Sequence, residues 1–236
     1  MILMLIFSFV AQSQGFELPQ IGKVIGENNF ITVNRDATNI PKKFRNHVEA
    51  IGWTNYGCTV SHIGNGIALS AGHCFEAQEK IEFNQGCRFV KVNWGFRKGK
   101  SPTLTSTCEK ILAMQKSRTS DFAILQFSRY PDAAIPLDLE RPARIGDLLT
   151  FFSHPQGRPL EWSQNCPLEA PQGGLIPIEK MSYTCDSEGG SSGAVVLSVS
   201  TGHIVGIHNG GFKDMNYGTH LDSGILRELL LDLTQQ

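Results

Sequence analysis

Cys185-Asp186-Ser187-Glu188-Gly189-Gly190-Ser191-Ser192-Gly193-Ala194 runs directly into Val195-Val196-Leu197. A turn of small residues followed at once by an apolar strand sets a serine at the mouth of a buried sheet, where a nucleophile can meet a substrate. A hydroxyl is inert at neutral pH until a base takes its proton, so this stretch implies partners elsewhere. Two upstream stretches offer them. Leu69-Ser70-Ala71-Gly72-His73-Cys74 places a histidine between an apolar run and a cysteine, and Asp121-Phe122-Ala123-Ile124-Leu125 opens another buried strand with an acid. The chain order His73, Asp121, Ser192 is one of the few in which these three residue types form a catalytic triad.

On these blocks the chain resembles the trypsin-like serine peptidases of the chymotrypsin fold, and most of all the secreted bacterial branch that includes the glutamyl endopeptidases. Val24-Ile25-Gly26 through Ala50-Ile51-Gly52 belongs to the same likeness, and Phe152-Ser153-His154-Pro155-Gln156-Gly157-Arg158-Pro159 is a weaker fifth block. The resemblance implies an all-β protein of two six-stranded antiparallel Greek-key barrels, with the active site between them and a short C-terminal helix. Residues 24–135 would form the first barrel, carrying His73 and Asp121. Residues 136–236 would form the second, carrying Ser192 and the helix.

The residues read independently agree on the class. Short runs such as Phe89-Val90-Lys91-Val92, Leu148-Leu149-Thr150-Phe151 and His203-Ile204-Val205-Gly206-Ile207 recur between Gly, Pro and Asn punctuation, as in an all-β sandwich or barrel. Tyr130 to Ile145 contains Pro131, Pro136 and Pro142 without alternation and reads as the connection between two halves. At the end, Asp222 and Ser223 can cap a helix whose Ile225, Leu226, Leu229, Leu230 and Leu233 recur at helical intervals.

With 236 residues, 41% of them hydrophobic, the chain can build one large domain or two small barrels around a cleft. A formal charge of -1 and the lack of any Lys/Arg run exclude a nucleic-acid partner, which needs a concentrated basic surface. Ile2 to Ala11 is apolar, and Ala11-Gln12-Ser13 offers the small residues that a signal peptidase reads, so residues 1–13 are expected to be an export signal and 14–23 a propeptide. The run is too short for a membrane span, although the stretch lacks the usual Lys or Arg; a buried N-terminal strand is the alternative. A secreted or periplasmic location follows. The expected partners are polypeptide substrates, bound by a monomer with no cofactor, no metal and no membrane anchor after signal removal.

Six cysteines in an exported chain point to disulfides rather than zinc, because no C-x-x-C knuckle is present. Sequence alone leaves 15 pairings open. The resemblance implies Cys58 with Cys74, bracketing the His73 strands; the remaining four pair most simply by proximity, Cys87 with Cys108 and Cys166 with Cys185.

The resemblance also implies the site roles. His73 acts as general base, and Asp121 accepts its other ring N–H; Gly72 stands where the family has alanine. Ser192 is the nucleophile, and its own amide with that of Gly190 forms the oxyanion hole. Hydrogen bonds aimed at such an oxyanion contribute about 3 to 4 kcal/mol each. Ser191 replaces the aspartate with which animal trypsins pair a newly cut N-terminus, so activation cleavage would act another way, by freeing the cleft or positioning Val24.

Substrate binding is expected at Asp186, Ser187, His208, Gly210 and Gly211, with the glycine edge receiving the substrate as an added strand. In glutamyl endopeptidases a histidine at the His208 position binds the substrate carboxylate. Asp186, six residues before the serine, instead stands where trypsin places the acid that selects Lys or Arg. The two cannot serve one pocket in the same way, and the reading leans to acidic P1 with basic P1 left open. A catalytically silent, protease-like binding module and an esterase on the same fold are the competing functions.

Overall fold

The computed structural model describes residues 23–171, 176–212 and 214–234; the expected export signal, 1–13, and most of 14–23 lie outside the described residues. A two-residue strand, β1 (Ile31–Thr32), precedes eight strands: β2 (Ile51–Thr54), β3 (Thr59–Gly64), β4 (Ile67–Ser70), β5 (Glu82–Gly86), β6 (Lys91–Trp94), β7 (Leu104–Thr107), β8 (Lys110–Lys116) and β9 (Asp121–Gln126). Six more follow the proline-rich connection: β10 (Leu148–Ser153), β11 (Glu161–Glu169), β12 (Lys180–Tyr183), β13 (Val195–Ser198), β14 (Ile204–Phe212) and β15 (Met215–His220). Helix α1 (Gly224–Thr234) is the last described element.

The second lobe is a closed barrel of six strands, β10 to β15, whose ladder is completed where β11 meets β12. The first lobe differs from a six-stranded barrel. It is an eight-stranded antiparallel sheet in the order β5-β8-β9-β4-β3-β2-β6-β7, with no ladder between its edges β5 and β7 among the described residues. Its curl comes from bulges between His62 and Gly64 and between Ile111 and Ala113. Cys87 follows one edge strand and Cys108 follows the other, and their disulfide joins the two edges covalently, with Cα atoms 5.4 Å apart. Exposed β5, with its left-handed Asn84, could not extend a regular ladder across that gap.

Strand periodicity places three apolar clusters. Along β9, Ala123 and Leu125 point into the first sheet's interior with Val60, Val92 and Trp94, whereas Phe122 and Ile124 face a cluster shared between the lobes. Along β13, Val196 enters the second barrel beside Phe151 and Met181, whereas Val195 and Leu197 face the shared cluster. Both faces of these strands are therefore apolar, which is why they read as continuous runs. Helix α1 seals the shared cluster with fully buried Leu226 and Leu230. Each such burial contributes up to about 1.5 to 3 kcal/mol. Ser223 precedes the helix, but its hydroxyl donates to His220 O instead of capping a helical N–H.

The first residues belong to the second lobe. Ile31 and Thr32 pair with Trp162 and Glu161 of β11, and the segment before them lies along β15 and the approach to Ser192. The middle of the connection is tied to both lobes, by Ile135 N donating to His62 O of the first and by Asp138 N donating to Ile204 O of the second.

Candidate active site

His73 lies in a single 3-10 turn, Gly72–Phe75, that follows β4. The turn sits so close to β8 and β9 that a Cβ on Gly72 would run into the carbonyl oxygens of Gln115 and Phe122, which explains glycine there. Asp121 begins β9 and faces the turn. Its Oδ2 lies 2.7 Å from His73 Nδ1, and its Oδ1 accepts the His73 main-chain N–H at 3.0 Å. This two-point grip fixes the ring and its tautomer, leaving Nε2 free to accept a proton. Burial works against the Asp121 charge; the hydrogen bond and charge of His73, together with the charge of Lys180, outweigh it and hold the carboxyl below the usual range.

The Cys58–Cys74 disulfide ties the start of β3 to this turn. Cys58→Ser/Cys74→Ser should lose about 2 to 5 kcal/mol of stability, because the link closes the segment that carries His73. Urea denaturation of the double variant measures this; an unchanged midpoint and slope would refute it.

Ser192 is 2% exposed, in the turn before β13. Its Oγ donates to Asn209 O at 3.4 Å and makes no hydrogen bond to His73 in this resting geometry. Catalytic hydrogen bonds are often long without substrate and tighten in the complex. Three carbonyls of the turn are fastened to other segments. Gly189 O accepts from Gln156 N at 2.5 Å, Gly190 O from Thr59 Oγ1 at 2.7 Å, and Ser192 O from Thr59 N at 2.9 Å. The amides of Gly190 and Ser192 donate to nothing among the described residues. Gly190 has φ 98°, and a Cβ there would meet His154 O, so the turn needs glycine.

Thr59 and Gln156 were not singled out from the sequence. Thr59 follows Cys58 and is fully buried; its hydroxyl also accepts the His154 N–H at 3.0 Å, so one side chain joins three segments. Gln156 acts through its backbone, in the left-handed region at φ 51°. The Pro155-Gln156-Gly157 turn signal was visible, but a backbone N–H carries no residue-type marker.

The residues expected to bind substrate separate into two groups. Asp186 and Ser187 face the N-terminal segment. Asp186 Oδ1 accepts from Ile25 N at 2.8 Å and Oδ2 from Asn29 N at 2.7 Å, so both carboxylate oxygens are engaged by main chain. Ser187 Oγ accepts from Lys23 N and donates to Asn216 Oδ1, each at 2.8 Å. His208, Gly210 and Gly211 lie on β14 beside Ser192. The ladder to β13 ends at Ile207, and Gly210 and Gly211 run on paired only to β15.

His208 is fully buried, stacked on Phe151 with ring centroids 5.1 Å apart. Its Nδ1 is 2.7 Å from Tyr183 Oη, and its Nε2 is buried without a partner. Burial above all, with the nearby His73, lowers its pKa to about 3 against the pull of Asp121, so the ring is neutral.

Comparison with solved structures gives the same architecture. A Glu endopeptidase superposes with a TM-score of 0.65 at 18% identity, covering 90% of this chain and all of its own. The Rv3671c protein of M. tuberculosis H37Rv, in an inactive form, gives 0.58 at 14% identity, covering 90% of this chain and 99% of its own. The protease Anisep from Arthrobacter nicotinovorans gives 0.58 at 16%, over 74% of this chain and 91% of its own. A search of the curated proteins found no match. The trypsin-like peptidase domain is recognised across residues 57–207, which contain the His73 turn, the Asp121 strand and the Ser192 turn. The chain therefore belongs to the trypsin-like peptidase family and is a serine-type endopeptidase.

Proposed function

We propose that the protein is an exported endopeptidase in which His73, Asp121 and Ser192 form the catalytic triad, with a preference for an acidic residue at P1. The observation that carries the triad is the two-point Asp121–His73 grip beside a turn whose Gly190 and Ser192 amides are undonated. In this reading His73 takes the Ser192 proton as Oγ attacks the scissile carbonyl, then delivers it to the leaving amine. The carbonyl oxygen, now negative, receives both free amides. Water repeats the sequence to release the acyl group, and no cofactor is needed.

Acidic P1 is favoured by what is engaged and what is not. Both Asp186 oxygens accept from the amides of Ile25 and Asn29, so the carboxylate is committed to the N-terminal segment, which disfavours it as the selector of a Lys or Arg side chain. His208 has an unpartnered Nε2, while Tyr183 Oη satisfies its other nitrogen. When Tyr183 donates to Nδ1, Nε2 carries the proton and can donate to a substrate carboxylate. The three disulfides support an oxidising compartment, and among the described residues no helix is long and apolar enough to cross a membrane. The export signal 1–13 and the propeptide 14–23 complete this reading.

A fluorophosphonate probe should label the protein at Ser192; absence of labelling would return it to the silent module. A peptide library should then be cleaved after Glu, and His208→Ala should lower kcat/KM for Glu at least tenfold while leaving phosphonylation within a few-fold. A wild-type profile favouring Lys or Arg would overturn the P1 assignment and leave the triad untouched.

A further inference from the structure

Lys180, the first residue of β12, is only 4% exposed and hydrogen-bonds no carboxylate. Burying an ammonium is strongly unfavourable unless something compensates it. Its Nζ donates to Asn209 Oδ1 and to Thr219 Oγ1, each at 2.9 Å. Those two side chains grip the main chain of Asp121. Asn209 Nδ2 donates to Asp121 O at 2.8 Å, Thr219 Oγ1 accepts the Asp121 N–H at 2.9 Å, and Thr219 Oγ1 lies 2.7 Å from Asn209 Oδ1. Asn209 O is also the acceptor for Ser192 Oγ. The cation thus sits at the hub of a closed polar network, approaching Asp121 from its main-chain side while His73 holds the carboxylate.

We propose that Lys180 is a positioning residue of the triad: through Asn209 and Thr219 it fixes the Asp121 strand entry, and its positive charge offsets part of the carboxylate field that favours a proton on His73. The inference rests on the triad reading. Coulomb's law sets the sign, since a cation beside Asp121 opposes a second positive charge on His73. Burial favours the neutral amine of Lys180 and lowers its pKa to about 8 against the pull of Asp121, so the offset is present at neutral pH and is lost above that value.

The other titratable groups around the pair act differently. His208 of β14 is neutral throughout this range, and burial together with the Asp121 charge raises Tyr217 of β15, keeping it a neutral phenol. Tyr183 of β12 is raised well above the usual phenol value, by burial first and also by its neighbour Tyr217. His220 of β15 is lowered, first by burial and also by Lys180, with Asp222 opposing. It is the one group here that could add its own step on the acid side, and His220→Gln removes it.

The test is the pH profile of Ser192 phosphonylation by a small fluorophosphonate, measured on the whole protein. Lys180→Met should move the acid limb to higher pH by about half a unit to one unit, and Lys180→Arg should leave it in place even if the rate falls. A Lys180→Met protein that is slower at every pH with the limb unmoved would make Lys180 a strut only and overturn the electrostatic role. Should both variants fail to fold, wild type decides. The downfield proton resonance of the His73–Asp121 hydrogen bond should shift with a step near pH 8, and its absence would refute the proposal. Failure of the triad itself looks different, since His73→Ala would then keep wild-type phosphonylation.

Discussion

Ser192→Ala is expected to lower kcat on the order of 10⁶-fold for the best peptide substrate, with the fold intact, whereas Ser191→Ala should cost only a few-fold. The two serines are neighbours with different work. Ser191 Oγ accepts the Glu188 N–H at 3.2 Å and pairs with Ser153 Oγ at 3.0 Å, which steadies the turn from inside. Ser192 Oγ points to Asn209 O, and its own amide is one of the two left undonated. Removing the second hydroxyl removes the nucleophile and little packing. Steady-state kinetics with a thermal melt of each variant checks this. Equal losses in the pair, or full activity in Ser192→Ala, would refute the assignment.

Asp121→Asn should lower kcat by about 10⁴-fold. The asparagine oxygen can still accept the His73 main-chain N–H, so the turn stays in place. The amide nitrogen, however, donates to Nδ1 where the carboxylate accepted, which drives the ring proton to Nε2. An imidazole protonated there cannot take the Ser192 proton. Stability should fall less than activity, because Asn209 and Thr219 still hold the main chain of residue 121. A loss under tenfold in kcat, with the fold unchanged, would remove Asp121 from the mechanism.

The class of fold was legible because the chain punctuates its strands with Gly, Pro and Asn, and because the runs at β9 and β13 are apolar on both faces. That pattern left sandwich and barrel open, and the closed second barrel was an implication of the family resemblance. The eight-stranded first sheet was not legible either, since its seam is a disulfide between residues that follow two strands that never pair, and strand counting cannot see which edges meet. The His73, Asp121 and Ser192 stretches stood out because each sets a polar residue against a buried strand. Asp186 was ambiguous for the opposite reason: its partners are the amides of Ile25 and Asn29, and any residue type supplies an amide. Lys180 left no trace either. In Lys180-Met181-Ser182-Tyr183 the lysine looks like the solvent end of an ordinary strand, and only the fold brings Asn209, Thr219 and Asp121 around it.

The segment from Lys23 to Thr32 precedes both lobes in the sequence but is held by residues 161 to 216. Lys23 waits for Ser187, 164 positions later, which gives the second barrel a high contact order. As the chain emerges N-terminus first, residues 51–126 can pair among themselves while the leading segment has nothing to bind. Loop-closure entropy rises only slowly with length, so the delay costs little stability; it costs time. The two lobes are therefore expected to complete at different moments, with the turn that carries Ser192 set late, when this segment is drawn in against Asp186 and Asn216.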